Sequence, residues 1–427
     1  MADPVSAAAN PNAGGDHPIL PFTFRPTQDQ IADLRARLAA TRWPDQLQGM
    51  SHPWAYGTDR TTLQALCNYW ANGYDFDRHF DAIMTAYPHF TTTVVGVPLH
   101  FIHVRSPRAD AKPMLLIHGW PGSFMEFLDV IPLLSNPKDA TKPAFHLVIP
   151  SLPGYVFSPA PTKVGFGTAD MGRVFNHLML KLGYIRYLAQ GGDWGSFICR
   201  ELAINHPHNC VGIHVNMVAV APPVTSVGWL PSLAAVWAGK GEWVLSKEEN
   251  EWVKQTFEFL NKHTAYQHIQ AESPQTLAYA LNDSPAGLAS WLLEKFYLWS
   301  HHQGDITLAI PLDKILTNIS LYWFTACIAS SIRLYKEHLV IKWDGGIGES
   351  QLMKAKVPPS VVVGVANFPK EILKMPKAWV RHYMNVQHWS VLTRGGHFAA
   401  LEEPELLAED VQTCVKGWIE RKLINLD

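Results

Sequence analysis

The strongest candidate for a catalytic residue lies in the stretch QGGDWGS (190–196), where three glycines surround one aspartate, Asp193. Gly191, Gly192 and Gly195 lie between an apolar run and the helix-like segment FICRELAIN. This spacing is typical of a sharp turn from strand to helix, in which the central side chain is held out as a nucleophile and bulkier neighbours would clash. An ordinary glycine turn followed by a helix-capping aspartate has the same sequence pattern. The stretch therefore predicts a nucleophilic turn only if partner residues occur elsewhere in the chain.

Two further stretches supply such partners. In LLIHGWPG a predicted strand ends in His-Gly, the kind of loop in which a backbone N–H near Gly119 or Trp120 stabilises an oxyanion. In RGGHF, His397 follows a predicted strand and precedes the last helix. Taken separately, the first stretch could be a plain β-turn and the second a structural histidine. An early nucleophile and a late histidine, however, match the chain order of the α/β-hydrolase fold.

The elements around these residues alternate between strands and helices. Short apolar runs end in turns, and amphipathic segments separate them, which indicates an α/β fold with a mainly parallel twisted sheet. Further upstream, HFTTTVVGVPLHFIHVRS alternates around Gly96 and predicts a hairpin. The strands predicted from these runs are MLLIHG, FHLVIPS, YLAQGGD, GIHVNMV, VPPSVVVGVANF and WSVLTRGGHF.

Alternation stops in the middle of the chain, where a Trp-, Tyr- and Leu-rich stretch has helical character throughout. A helical insertion between two α/β segments predicts a lid over the carboxyl ends of the strands. Within it, LYWFTACIASSI at 321–332 is interpreted as one buried helix, too short to span a bilayer. The predicted organisation is a flexible tail (1–18), an N-terminal region (19–105), the first half of the core (106–218), the lid (219–345) and the second half of the core (346–427).

Composition restricts the class of protein. The chain has 427 residues, a formal net charge of −2 and 17% charged residues, which gives no electrostatic reason to expect nucleic acid or an anionic membrane as a partner. Its five cysteines are scattered, which favours reduced thiols in a cytoplasmic protein over a disulfide framework or a zinc site. The first residues lack the basic and apolar segments of a signal peptide. We therefore expect a soluble protein.

Several of these stretches together resemble the epoxide hydrolases of the α/β-hydrolase fold, of the microsomal and fungal type. The resemblance rests on HGWPGS, QGGDWGS, HIQAESPQTLAYALNDSPAGLASWLLEKF and RGGHFAALEEPELLAEDV, and extends from PFTFRP at residue 21 to the C-terminus. It implies an N-terminal extension that wraps the core and meets the lid. The membrane-bound members of the family carry an anchor helix that this sequence lacks, so the soluble fungal members are the closer likeness.

The resemblance also implies roles for individual residues. Asp193 corresponds to the nucleophile, His397 to the base, and Glu371 in FPKE to the acid that orients the base. Tyr266 in AYQHIQ and Tyr335 in RLYKE correspond to the two lid tyrosines that protonate the epoxide oxygen. Other carboxylates are less suited to orient the base. Asp344 in WDGG is the alternative, whereas Glu402 and Glu403 follow His397 too closely to orient it easily.

The chemistry explains why aspartate stands where many hydrolases have serine. A serine would open an epoxide to an ether that activated water cannot cleave, whereas a carboxylate gives an ester, which hydrolyses. The backbone N–H groups of Trp194 and Trp120 would hold the oxyanion, and no metal or organic cofactor is expected. The expected partners are a small lipophilic epoxide and water, with a homodimer implied by analogy. A haloalkane dehalogenase is the main alternative, since it shares the aspartate and the following tryptophan.

Overall fold

The sheet is the central element of the fold. A computed structural model describes residues 17–223, 245–339 and 351–426. Within these ranges the strands of one nine-stranded sheet are β1 (Leu20–Pro21), β2 (His89–Val94), β3 (Val97–Val104), β4 (Lys112–Ile117), β5 (Phe145–Pro150), β6 (Tyr187–Gly191), β7 (Cys210–Val215), β8 (Val362–Asn367) and β9 (Asn385–Val391).

The strand order is β1-β2-β3-β5-β4-β6-β7-β8-β9. The pairs from β5 through β4, β6, β7 and β8 to β9 are parallel, and those from β1 through β2 and β3 to β5 are antiparallel. The predicted hairpin is present, with Val95 and Gly96 at positive φ between β2 and β3. This arrangement confirms the mainly parallel sheet of an α/β-hydrolase.

The parallel strands are apolar because helices cover both faces of the sheet. Every residue of β6 and of β8 is buried. The carboxyl ends of β4, β6, β8 and β9 lie along the same edge, where open α/β sheets bind ligands. The candidate catalytic stretches HGWPG, QGGD, FPKE and RGGH lie at or just after the ends of these four strands.

Helices surround the sheet and make up most of the described residues between β7 and β8. Within the described ranges, short 3₁₀ helices are Phe124–Phe127, Ile306–Leu308 and Gln351–Lys354. The α-helices of the described residues are α1 (Gln28–Ala39), α2 (Arg60–Asn72), α3 (Phe76–Thr85), α4 (Val130–Ser135), α5 (Thr168–Lys181), α6 (Asp193–Asn205), α7 (Lys247–Lys262), α8 (Ala265–Glu272), α9 (Pro274–Asp283), α10 (Pro285–Trp299), α11 (Leu312–Phe324), α12 (Ile328–His338), α13 (Lys377–Tyr383), α14 (Ala399–Glu402) and α15 (Pro404–Glu420).

The N-terminal extension packs against the helical lid formed by α7–α12. The Trp70 indole N–H donates to the Ser320 hydroxyl at 2.8 Å, and the hydroxyls of Tyr74 and Thr317 are 2.7 Å apart. These bonds join α2 and the residues after it to α11. The extension therefore holds the lid in place, as the resemblance implied.

Some segments expected to be continuous helices are broken. The stretch 321–332 is not one buried helix but the junction of α11 and α12, which are bent by 89°. Ala326 lies at the break with φ of 51°, a left-handed conformation that cannot continue a right-handed helix. Elsewhere, α9 and α10 are separated at Ser284, which caps α10, and Pro285 begins the new helix. Periodicity alone does not reveal such breaks.

Across the described ranges, no single helix has both the length and the apolarity needed to cross a membrane, and the bent α11–α12 pair meets those criteria only when taken together. The five cysteines are all buried and free, as expected. Two features named from the sequence, the alternative acid Asp344 and residues 1–16 of the N-terminal tail, lie outside the described residues.

Candidate active site

Asp193 occupies a sharp turn between β6 and α6. The strand ends at Gly191, Gly192 caps the helix, and Asp193 is the first helical residue. Its φ is 47°, a left-handed conformation that is strained for a residue with a side chain. The helix N-terminus also favours a negative charge at this position. The turn therefore holds a carboxylate at the carboxyl edge of the sheet.

The surrounding glycines allow the backbone to pack at this turn. A Cβ on Gly195 would lie 2.0 Å from the Ile117 carbonyl oxygen, and one on Gly119 would lie 2.2 Å from Asp193 Oδ1. A Cβ on Gly191 or Gly192 would lie 2.6 Å from the Gly195 oxygen and the Asn216 amide nitrogen respectively. A larger side chain at any of these positions would therefore displace the turn or the residues packed against it. The sequence pattern thus has a steric cause.

The loop after β4 brings a backbone donor to Asp193. The Trp120 N–H donates to Asp193 Oδ1 at 2.7 Å, and the Trp120–Pro121 peptide bond is cis. His118 fixes the start of this loop, because its Nε2 accepts from the Leu152 N–H while its Nδ1 donates to the Gly119 carbonyl. The loop is therefore oriented for anion binding. The Trp194 N–H, the other expected donor, follows Asp193 in the first turn of α6.

His397 lies between two carboxylates. Its Nδ1 is 2.7 Å from Glu371 Oε1, and its Nε2 is 3.3 Å from Asp193 Oδ2. The side chains of His397 and Glu371 are each 1% exposed. The Lys370 N–H donates to the Gly395 carbonyl at 3.2 Å, which joins the loop after β8 to the loop after β9. Two loops far apart in sequence thus place an acid and an imidazole side by side.

The electrostatics of this group favour a charged imidazole. Burial opposes the charge on His397, but the nearby carboxylates of Glu371 and Asp193 outweigh it and raise the pKa of His397 well above its usual value. The Ile372 N–H also donates to Glu371 Oε1 at 2.7 Å, which keeps this carboxylate in place. The two carboxylates therefore favour the protonated form of the imidazole before substrate binds.

The two lid tyrosines lie in an aromatic cage beside Asp193. Their rings are 5.9 Å apart and nearly perpendicular. Tyr266 stacks on Trp120 at 5.6 Å, and Tyr335 packs edge-on against Trp194 at 4.8 Å. Trp299 adds a further wall, 5.2 Å from Tyr266. The structure thus brings both tyrosines to the nucleophile, one from α8 and the other from α12.

Both phenols remain protonated at neutral pH. Burial first, and then the charge of Asp193, raises the pKa of Tyr266 above its usual value. Burial, Tyr266 and Asp193 together raise the pKa of Tyr335 well above that value. Loss of the charge on Asp193 would remove one of these causes in both cases. The phenols would then give up a proton more readily.

Another acidic side chain close to His397 has a different role. Glu402 accepts hydrogen bonds from the backbone N–H groups of His301 at 2.7 Å and Phe398 at 3.0 Å. Burial raises the pKa of Glu402 to about 7. Because its oxygens bind these backbone groups, Glu402 supports the loop around His397 and does not orient the ring.

Comparisons with known proteins identify the family of this chain. Residues 19–127 match the family described as "Epoxide hydrolase N terminus", and residues 112–290 match "alpha/beta hydrolase fold". The chain is 38% identical over 429 residues to "Epoxide hydrolase 1" of Sus scrofa, which covers 97% of this chain and 92% of that protein. The chain belongs to the epoxide hydrolase family.

Solved structures of other epoxide hydrolases share its architecture. Juvenile hormone epoxide hydrolase from the silkworm Bombyx mori superposes with a TM-score of 0.85 at 30% identity, covering 95% of this chain and 96% of that one. The Aspergillus niger epoxide hydrolase superposes with a TM-score of 0.79 at 30% identity, covering 93% and 96%. The N-terminal extension and the lid are therefore present in this epoxide hydrolase as they are in its relatives.

Two residues of this epoxide hydrolase were missed in the sequence. The backbone carbonyl oxygen of Trp299 accepts a hydrogen bond from the backbone N–H of His397 at 3.0 Å. The indole ring of Trp299 packs edge-on against the imidazole, with ring centroids 5.1 Å apart. Glu126, in the 3₁₀ helix that follows the oxyanion loop, lines a small cavity together with Asp193 and His397. No motif in the sequence marked Glu126, because its position depends on the space that Gly122 leaves.

Proposed function

We propose that this chain converts a lipophilic epoxide and water to a vicinal diol through an ester on Asp193. The proposal is carried by one observation: the Asp193 carboxylate contacts the Trp120 N–H and the His397 ring, and two buried phenols lie next to it. A carboxylate, a base and two acids are the groups that epoxide opening and ester hydrolysis require.

In the first step Asp193 attacks one epoxide carbon while Tyr266 and Tyr335 donate to the oxygen. The new carbon–oxygen bond neutralises the carboxylate, so a cause of the raised phenol pKa disappears as the epoxide oxygen needs a proton. The phenols therefore become better acids during the step. The C–O bond of the epoxide breaks, and its electron pair takes the proton.

The second step requires a neutral imidazole. Ester formation removes the charge of Asp193 that raises the pKa of His397, so the proton of the imidazole can pass to the phenolate left by the first step. His397 then takes a proton from water, whose oxygen attacks the ester carbonyl carbon. Glu371 stabilises the imidazolium, and the N–H groups of Trp120 and Trp194 hold the oxyanion. The diol departs, and the proton released by hydrolysis returns to His397.

A single turnover in water enriched in heavy oxygen tests the ester. The product of one turnover should carry no label, and the peptide that contains Asp193 should gain one heavy oxygen atom, because water attacks the carboxyl carbon of the ester. Styrene oxide is a suitable substrate, and Asp193→Asn is the control that should form no ester. Label in the diol of the first turnover would instead mean direct attack by water and would overturn the proposal.

One observation favours a second activity, the release of halide from a haloalkane. The indole nitrogens of Trp120 and Trp194 are buried; that of Trp120 has no hydrogen-bond partner among the described residues, and that of Trp194 lies beside the Tyr335 hydroxyl. Two indole N–H groups beside an aspartate nucleophile could bind a departing halide. Halide release from a haloalkane, measured against diol formation from styrene oxide, separates the activities. The buried tyrosines favour the epoxide, because halide needs no proton to leave.

The aromatic cage around Asp193 supports a lipophilic substrate. A cytoplasmic location and a homodimeric state remain predictions from the sequence and from the family resemblance. Fractionation of cells and light scattering of the purified chain would test them.

A further inference from the structure

A small cavity adjoins the nucleophile and the base. It has a volume of about 20 Å³ and is lined in part by Asp193, His397, Glu126 and Asn216. A cavity of about this size holds one water molecule, provided that polar groups are present to bind it. The two tyrosines are not among the residues that line it. The cavity therefore adjoins Asp193 and His397 without involving the groups that protonate the epoxide.

Glu126 reaches this cavity because residue 122 is glycine. A Cβ on Gly122 would lie 1.3 Å from Glu126 Oε1, so the carboxyl group takes the place of a side chain at that position. Ser123 caps the 3₁₀ helix, and the Glu126 N–H donates to the Ser123 carbonyl at 3.1 Å. The turn therefore directs a carboxyl group back toward the oxyanion loop.

The titratable groups that face Glu126 are Asp193, His397 and the buried phenol of Tyr322. Burial raises the pKa of Glu126 to about 8; His397 opposes this increase and Asp193 adds to it. When Asp193 becomes an ester, its charge no longer raises the pKa of Glu126. The Glu126 carboxyl group then faces the imidazole as ester hydrolysis begins, with an oxygen that can accept a hydrogen bond.

We propose that Glu126 is a further catalytic residue, which binds the water that hydrolyses the ester; this inference rests on the function proposed above. One hydrogen of the water passes to His397 Nε2 while its oxygen bonds to the ester carbon. The other hydrogen stays on that oxygen and donates to Glu126. When the intermediate collapses, the bond to the diol oxygen breaks and that oxygen takes the proton from His397. The remaining hydrogen leaves with ionisation of the regenerated Asp193 carboxyl.

Three variants test this role. Glu126→Gln keeps an oxygen acceptor but cannot ionise, and Glu126→Leu keeps no acceptor. Gly122→Ala leaves the carboxyl group intact but displaces it from the cavity, because the added Cβ would overlap it. Glu201→Gln is the matched control, since Glu201 is a partly buried carboxylate on α6 that bonds Asn205 and Thr168 and does not line the cavity.

The readouts are the rates of ester formation and ester hydrolysis, measured separately by rapid mixing with styrene oxide and by mass analysis of the quenched protein. Hydrolysis should fall roughly 10-fold in Glu126→Gln and roughly 100-fold in Glu126→Leu, the value of one hydrogen bond to a charged group. Gly122→Ala should show the same selective loss. Ester formation should stay within about threefold of wild type, because attack by Asp193 on the epoxide needs no base and no bound water.

The pH profile of hydrolysis distinguishes this role from a structural one. Where Glu126 is ionised it raises the pKa of the imidazole, so the acid limb of the profile should move to lower pH in Glu126→Gln, which cannot ionise. The inference is overturned if hydrolysis keeps its wild-type rate and profile in both Glu126 variants, or if both steps slow equally. Failure of the proposed function would differ, because the wild-type chain itself would then form no ester on Asp193.

Discussion

Replacement of Glu371 with glutamine tests how the base is activated. Glu371 Oε1 lies 2.7 Å from His397 Nδ1, and both side chains are 1% exposed, so solvent screens the pair very little. Glutamine has the same shape, and its oxygen can still accept from the ring. The substitution therefore removes a buried charge while leaving the packing nearly unchanged.

The size of the effect follows from the charge that forms in the transition state. His397 becomes an imidazolium as it takes a proton from water, and Glu371→Gln withdraws its anionic partner. We expect a loss of roughly 2–4 kcal/mol, between a hydrogen bond to a charged group and a broken buried ion pair. That loss corresponds to ester hydrolysis roughly 30- to 1,000-fold slower. Ester formation should change by less than about threefold, because Asp193 needs no base.

The two rates can be separated in one experiment. Rapid mixing of Glu371→Gln with styrene oxide should form one equivalent of the hydroxyalkyl ester on Asp193 in a fast phase. Slow turnover should follow. Trp120 and Trp299 lie within the site and would report ester formation by fluorescence. Glu403→Gln is the control, since Glu403 pairs with Arg394 away from the imidazole. If the ester failed to accumulate, or if both phases slowed together, the reasoning would be refuted.

Further expectations concern the acids, the turn and acid stability. Tyr266→Phe and Tyr335→Phe should each slow ester formation roughly 10- to 100-fold and leave ester hydrolysis nearly unchanged, as shown by the burst rate. Gly195→Ala should destabilise the fold by about 1–3 kcal/mol in denaturant titration, because its Cβ would overlap a β4 carbonyl; an unchanged midpoint would contradict the steric account. Burial favours the neutral form of Asp410, but hydrogen bonds with two histidines outweigh it and hold its pKa below the usual value. The stabilisation by ionised Asp410 is thus present above pH ~4 and is lost as the pH falls further. The melting temperature of Asp410→Asn should therefore lie furthest below that of the wild type near neutral pH, and the difference should shrink in acid.

The nucleophilic turn could be predicted because its requirements are local. Gly195 lies where no Cβ fits, and Asp193 takes the strained φ that such a turn imposes. The mainly parallel sheet was also accessible, since short apolar runs alternated with helices. The contact between Glu371 and His397 was different, because it depends on a pairing between two loops 26 residues apart. The family resemblance named Glu371, whereas spacing alone would have left several carboxylates open.

Other features lay beyond the sequence for a physical reason. The break between α11 and α12 depends on Ala326 adopting a left-handed conformation, and alanine is a strong helix former. Glu126 lies in a stretch with no recognisable motif, and its role depends on the space left by Gly122. In both cases tertiary packing decides the outcome. Local preferences for secondary structure do not contain that information.

The hydrogen bond from the backbone N–H of His397 to the Trp299 carbonyl oxygen couples the imidazole to helix α10. Trp299 is the last residue of α10, and its ring also forms a wall of the site beside Tyr266. A displacement of that helix would therefore also shift the backbone of His397. The width of the site beside Tyr266 and the alignment of the imidazole thus depend on the position of one helix.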